Sequence, residues 1–364
     1  MSDPEAPRGA EAPADEGDWD AFVAGHPLAT YLQTLGWARV KAANGWTSRL
    51  VDVPLAGGGR VGARILLRRP RGVPWTFAYA PRGPLATAWD RESLGAFGEA
   101  LQVAGSGRAG AGVAHVRIDP EIEPGGALDP TGGGAEPLRA LGWRAAPEVQ
   151  PSVTRVIDLS ADEAALWSDL RKKWRQYVNR ARTLGVTVSE VDADVDPTAF
   201  PTFHRVMTET SRRTGTLIRT ETAYRDIWDA FRPDGVRLLF ARDGGGDVQA
   251  VLLLVRCGTR VVEPYGGMTA AGAEDRANYL LKWEAIRRSR EAGATSYDLW
   301  GLVHPGIRHF KEGFGGREVR LIGAWDLPLS RLGSGLYRFA EARRRPPKAP
   351  VPVRPEAAAG EGEP

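Results

Sequence analysis

The sequence predicts an α+β protein of two tandem units, each a mixed sheet flanked by helices. Three observations carry this. A chain of 364 residues is too long for one ordinary core and suits two units of roughly 150 residues each. The order of elements recurs: helices, a strand hairpin, a helix, then a strand, first over residues 18–152 and again over 153–323. Within the second unit, residues 261–319 read strand, loop, long helix, strand, a β-α-β arrangement that lays its helix on one face of a mixed sheet.

Taken in order, residues 1–17 are mostly Ala, Pro, Glu and Asp and read as a disordered tail. Helices follow over 18–25 and 31–41, strands over 48–53, 60–67 and 75–79, a helix over 93–104, and a strand from Ala114 that Pro120 stops. A short helix over 137–142 follows, then a strand over 152–159 near which the second unit starts. The second opens on Ser160-Ala161-Asp162-Glu163, a capping box with Ser160 as N-cap and Glu163 at N3. The helix or helix pair beyond it runs to Thr183 and ends at Gly185. Trp167, Leu170, Trp174, Tyr177, Ala181 and Leu184 recur along it at three- and four-residue steps, the pattern of a buried stripe. Helices over 200–214 and 221–231 precede a hairpin of strands 236–241 and 248–257 around a Gly-rich turn. Leu280, Leu281, Trp283, Ile286 and Ala292 then keep helical spacing up to a stop at Gly293, and 296–301 reads as a strand. Residues 306–316, dense in glycine, aromatic and basic side chains, read as a loop, and 344–364 as a basic then Pro-rich tail.

Charge and motifs narrow the chemistry. With 48 basic residues against 45 acidic ones, any nucleic-acid site has to be a local patch. The helix ending at Gly185 offers one: Arg171, Lys172, Lys173, Arg175, Arg180 and Arg182, with Asp169 the only acid among them. Surface helices usually alternate signs to gain i,i+4 pairs, so this run suits a phosphate backbone slightly better than a solvated face. One cysteine, Cys257, excludes an intramolecular disulfide, fits a reducing compartment, and ends an apolar run where a buried thiol is expected. No stretch is apolar enough to span a membrane or serve as a signal peptide, so a cytoplasmic protein is expected. The five histidines lack metal-ligand spacing, and neither a Walker A sequence nor a GxSxG elbow occurs. Acyl-CoA acetyltransferases of the GNAT fold bind pyrophosphate with a Gly-rich loop at a helix N-terminus. Here that position reads Gly272-Ala273-Glu274-Asp275-Arg276-Ala277-Asn278, short of glycines and carrying two acids, so no coenzyme A is expected.

Several motifs together resemble the Fem-type (FemA/FemB/FemX) aminoacyltransferases over most of residues 20–340. They are Trp37-x-x-x-Lys41, Arg180-Ala181-Arg182 before Leu184-Gly185-Val186, Tyr265-Gly266-Gly267, Leu281-x-Trp283-Glu284-x-Ile286, Tyr297-Asp298-Leu299-x-Gly301 and Gly306-Ile307-x-x-Phe310-Lys311-x-x-Phe314-Gly315-Gly316. The last two carry most of the specificity. The resemblance implies two tandem GNAT-like domains, here 18–152 and 153–323, with a last strand and helix over 324–343 returning to the first. The coiled-coil arm of some members is expected to be absent. It also implies transfer of an aminoacyl group from aminoacyl-tRNA to the side-chain amine of a peptidoglycan-precursor stem peptide, nucleotide- or lipid-linked, the latter with peripheral contact at the inner membrane face.

On that resemblance Lys311 is expected beside the reacting ester, supporting developing negative charge or the terminal ribose and phosphate of the tRNA. Asp119 is the carboxylate expected to orient or deprotonate the attacking amine, and a strand-end Asp capping a turn is an almost equal account of it. Lys41 and Arg213 are expected to grip the precursor's diphosphate and carboxylates, with Arg212 as the substitute for Arg213, and Tyr265 to pack beside them. Arg171, Lys172, Lys173, Arg175 and Arg180 are the tRNA-binding set; Asp298 and Glu284 are expected to orient the loop that follows. Two other functions stay open: an N-acyltransferase acting on a metabolite amine, and a non-catalytic RNA- or anion-binding module.

Overall fold

A computed structural model describes residues 16–69, 75–106, 112–302, 304–330 and 335. The expected C-terminal tail, most of the N-terminal one and the helix expected to lead to residue 343 lie outside the described residues. The first half contains α1 (Glu16–Gly25), α2 (Leu35–Ala42), β1 (Thr47–Pro54), β2 (Arg60–Arg68), β3 (Thr76–Ala80), β4 (Leu85–Ala86), α3 (Arg91–Ser106), β5 (Val113–Ile118), α4 (Glu136–Ala140) and β6 (Arg144–Ala146). The second contains β7 (Val153–Asp158), α5 (Glu163–Asp169), α6 (Lys172–Thr183), β8 (Thr187–Glu190), α7 (Ala199–Thr214), α8 (Glu221–Phe231), β9 (Val236–Arg242), β10 (Val248–Cys257), β11 (Arg260–Met268) and α9 (Ala270–Glu274). It closes with α10 (Ala277–Glu291), β12 (Ser296–Asp298), α11 (Pro305–Glu312), β13 (Arg317–Arg320) and β14 (Ala324–Pro328).

Two seven-stranded sheets result. The first has the order β1-β2-β3-β5-β14-β6, with β4 on β2, and the second β13-β7-β12-β11-β10-β9-β8. β14 therefore joins the first sheet, pairing Trp325 with Ile118. The β11-α10-β12 segment forms the expected β-α-β unit, with β11 and β12 parallel and Val261 opposite Tyr297.

The cores explain how the two sheets are held. One face of the second sheet packs on α5, α6 and α10 through residues such as Trp174, Val178, Leu254, Leu281 and Trp283. Its other face is covered by α7 and α8, and also by α1 and α2 from the first half. Trp19, Tyr31 and Trp37 share that core with Phe203, Tyr224 and Leu253, and Leu66 and Leu85 of the first sheet join it. Each fully buried side chain of this size contributes about 1.5–3 kcal/mol, so the N-terminal helices weld the two halves together.

Four local expectations are corrected. Asp162, not Ser160, is the N-cap of α5: its carboxylate accepts from the Ala165 N–H at 2.7 Å. Of the helix or helix pair expected here the pair is found, with α5 ending at Asp169, Leu170 extended, and Arg171 as N-cap of α6, so the stripe does not run unbroken. The break resets the stripe to Trp174, Val178 and Ala181, leaving Tyr177 half-buried and Leu184 46% exposed. The segment read as a loop over 306–316 begins as α11, because Pro305 at the first position presets the helical φ and its missing N–H costs nothing there. The strand expected to reach Gly301 stops at Asp298, and Trp300 turns to φ 63°.

Candidate active site at the junction of the two units

Lys311 lies in the last turn of α11, and its ammonium donates to the carbonyls of Trp300 at 3.2 Å and Gly301 at 2.9 Å. An ammonium has three N–H groups, so one remains for a ligand. Burial lowers its pKa to about 8, Lys282 pushes the same way, and Glu263 and Asp298 oppose. Lys282 is itself buried and ion-paired with Glu263, which also accepts from the Tyr297 hydroxyl at 2.8 Å. The turn after α11 depends on glycine: a Cβ on Gly313 would sit 2.1 Å from the Trp174 indole. Main-chain carbonyls of Gly315 and Gly316 accept from Arg155 at 2.6 and 2.8 Å, fixing that turn to β7.

Asp119 follows β5 in the first sheet and is 2% exposed. Its carboxylate accepts from the Tyr79 hydroxyl at 2.6 Å, the Arg82 N–H at 2.6 Å and the Gln150 N–H at 3.2 Å. Burial raises its pKa against the opposing Arg82 charge and these donors. The geometry is that of a carboxylate holding a turn and a phenol, the second of the two roles expected from the sequence. Asp298 holds the other turn, accepting from the Trp300 N–H at 2.7 Å and from Thr154 and Arg260. Glu284 has no part in this: it pairs with Arg182, Arg287 and Arg288 on the surface of α10.

Lys41, on α2, has its ammonium 5.1 Å from the Trp37 ring centre and 5.7 Å from that of Trp46. Burial lowers its pKa to about 8, and the neighbouring Arg219 and Arg68 charges add to the effect. Arg219 donates through Nε to the Tyr265 hydroxyl at 2.6 Å, and Tyr265 packs edge-on against Tyr224. Tyr31, buried at the join of the two halves, has a hydroxyl whose pKa is raised first by burial and is also moved by Tyr265, Arg219, Arg82 and Asp298. Arg213, the residue expected beside Tyr265, is exposed and donates instead to the Met268 carbonyl at 3.2 Å; Arg212 is also exposed. Arg219, likewise exposed, occupies that place through its Tyr265 contact, and nothing in its sequence surroundings, a single arginine between two helices, distinguishes it.

The basic helix divides into two sets. Arg171 pairs with Glu312 at 3.1 Å, and Arg175 caps α5 by donating to the carbonyls of Ser168 and Leu170 at 2.7 and 2.8 Å. Lys172, Lys173 and Arg180 are exposed. Lys173 and Arg276 flank the Tyr177 ring at 5.7 and 4.7 Å, and Tyr177, Tyr279, Trp174 and Phe310 form one aromatic shelf that ends at the residue before Lys311. Cys257 is buried, its thiol pushed up to about 12, and no chemistry attaches to it. Among the described residues no cluster of His, Cys, Asp or Glu is placed to hold a metal, and no helix is long and apolar enough to cross a membrane.

Known proteins share this architecture. A model described as the FemAB family matches residues 15–124, and one described as a GNAT acetyltransferase domain matches 168–312. A lipid II:glycine glycyltransferase of Staphylococcus aureus is 28% identical over 230 residues, 61% of this chain and 52% of that protein. The chain thus spans about half the length of the curated relatives it matches. The crystal structure of FemX superposes with a TM-score of 0.78 at 21% identity, covering 90% of this chain and 98% of that one. A tandem GNAT protein from the clavulanic acid biosynthesis pathway gives 0.52 at 15% identity, covering 86% and 95%. The fold is two tandem GNAT-like units, and among the described residues no helix exceeds 16 residues, too short for a coiled-coil arm.

Proposed function

Because the chain is a Fem-type protein, we propose that it transfers an aminoacyl group from aminoacyl-tRNA to the amine of a peptidoglycan-precursor stem peptide, without coenzyme A. The observation that carries the reading is a pair of cations at the junction, Lys41 half-buried and Arg219 exposed but held by the Tyr265 hydroxyl. Among the described residues Lys41 and Arg219 have no carboxylate partner, and each is backed by an aromatic ring. A desolvated cation without a counter-ion, as Lys41 is, favours an anionic ligand such as the precursor's diphosphate, and a guanidinium beside it can take a second oxygen of the same anion. Three strands of support converge on the acceptor. The relative's printed name makes lipid II its substrate, the cations suit a diphosphate, and Tyr265 stands beside them.

The donor is an activated ester, so no covalent enzyme intermediate is needed. The chain's work is to hold two anionic substrates together and stabilise an oxyanion. In this reading Lys311 gives its remaining N–H to the developing negative charge. Asp119 keeps Tyr79 and the Arg82 turn in place and does not accept the proton. Lys172, Lys173 and Arg180 meet tRNA phosphates, and the Tyr177 shelf guides the acceptor end toward Lys311; Arg171 and Arg175, already engaged, shape the helix that presents them.

The test is transfer of a radiolabelled amino acid from a total charged-tRNA pool to nucleotide- and lipid-linked precursors, with and without RNase. RNase-sensitive label on a precursor is the expected result. RNase-resistant label points to another acyl donor, and no label on any precursor overturns the reading.

A further inference from the structure

Two bulky residues at the junction, one from each unit, stand in the left-handed region: Arg82 at φ 57° and Trp300 at φ 63°. Side chains of that size adopt it only where their surroundings impose it. The surroundings here are matched. A strand-end carboxylate takes each residue's N–H, Asp119 for Arg82 and Asp298 for Trp300. The Arg82 guanidinium lies over the Trp300 ring at 5.2 Å, and Lys311 holds the Trp300 carbonyl.

Between the two turns stands Arg260, at the start of β11, its side chain 12% exposed. One of its terminal nitrogens donates to Glu121 and the other to Asp298. The second oxygen of Glu121 lies 3.1 Å from Arg82 Nε. An unbroken sequence of contacts therefore runs Asp119, Arg82, Glu121, Arg260, Asp298, the Trp300–Gly301 peptide, Lys311, crossing from the first sheet to the second. Arg260 is the link that makes the crossing.

We propose that Arg260 is a positioning residue for the transfer: by bridging Glu121 and Asp298 it fixes the two carbonyls that aim Lys311 and sets the Lys311 unit in register with the Asp119 unit. The kinetic consequence rests on the transferase reading above; the geometric one does not. A planar guanidinium serves two carboxylates at once, whereas an ammonium is a point charge on a flexible stem. Arg260→Lys therefore keeps the charge and loses the bridge. Removing the charge alone strands two buried carboxylates and endangers folding, so the second variant is Arg260→Gln with Glu121→Gln, which leaves the net charge unchanged and only one carboxylate, Asp298, without its arginine.

Two readouts separate positioning from bulk stability. The first is steady-state transfer, where both variants are expected to lose about 10–100-fold in kcat with the precursor KM within about twofold. The second is the pH dependence of acetic anhydride labelling of Lys311, read by mass spectrometry. The charged groups facing that lysine are Lys282 from α10, Glu263 from β11 and Asp298 from β12. With Asp298 less neutralised and the Trp300–Gly301 loop looser, the labelling inflection is expected to rise by about half a unit or more. A kcat loss with an unmoved inflection overturns the proposal, as does unchanged kcat. If the wild type transfers nothing, the transferase reading falls, and the inflection alone decides the role of Arg260.

Discussion

The α6 face and the junction are both rich in cations, but solvent treats them differently. On α6, Lys172, Lys173 and Arg180 are exposed, where each attracts phosphate over a distance set by salt and none pairs with a carboxylate among the described residues. At the junction, Lys41 and Lys311 are half-buried, with their pKa values lowered to about 8 by desolvation. The comparison teaches that charge density in a sequence marks a surface of attraction, while a few desolvated cations against aromatic rings or carbonyls mark a place where one anion is held. The first contributes rate and salt dependence; the second contributes geometry.

The sharpest way to break this contrast is at Lys311. Lys311→Met is expected to lower kcat by about 10²–10³-fold, the size of losing one oxyanion donor, with precursor affinity kept. The protonated lysine is the active form in this account, so activity should fall as pH rises through about 8, giving a bell against the deprotonation of the acceptor amine. Lys311→Arg stays charged and should lose that alkaline limb in a pH–rate profile.

A second test lies at the precursor side. Arg219→Ala is expected to weaken precursor binding about 10–50-fold, as loss of a charge-assisted contact does, measured by calorimetric titration. Arg213→Ala should stay within about twofold. Equal effects would erase the distinction drawn between the two arginines.

On the α6 side, the triple variant Lys172→Ala, Lys173→Ala, Arg180→Ala should lower the slope of log affinity for tRNA against log salt by about 2–3, near one per phosphate contact. Precursor binding should not change. A filter-binding series from low to moderate salt reads this directly.

The smallest effect expected is on stability. Lys41 pays for its burial while charged, because its folded-state pKa lies near 8 and its unfolded one near 10.5. Below about 8 both states are protonated and the penalty is complete; between about 8 and 10.5 the folded state sheds its proton first, so stability rises with pH. Lys41→Met should remove the penalty and stabilise the protein at neutral pH by about 1 kcal/mol, discounted for its partial exposure. The pH dependence of Tm should flatten, and precursor affinity should drop.

How far the sequence could be read follows from which physics is local. The β11-α10-β12 unit was legible because helical spacing up to Gly293 and a following apolar strand are local signals. The glycines after Lys311 stood out, although their reasons, the Trp174 ring under Gly313 and Asp169 beside Gly315, are tertiary. A helix pair is one of the two readings the sequence allows here, but a continuous three- and four-residue pattern does not locate the break at Leu170 or show that the stripe changes register across it. Asp162, two residues beyond Ser160, takes the cap because α5 begins at Glu163. Arg219 was invisible because its importance comes from Tyr265, 46 residues away. The same holds for Arg260, whose two carboxylates belong to different sheets, and for the left-handed Arg82 and Trp300, which no local propensity announces.

One measurement reaches the central claim most directly: equilibrium binding of a nucleotide-linked precursor to the wild type, to the Lys41→Ala, Arg219→Ala pair, and to the α6 triple variant. Loss of affinity in the junction pair alone, with the α6 variant indistinguishable from the wild type, is the expected result. Precursor affinity that survives the junction pair and collapses in the α6 variant would contradict the account.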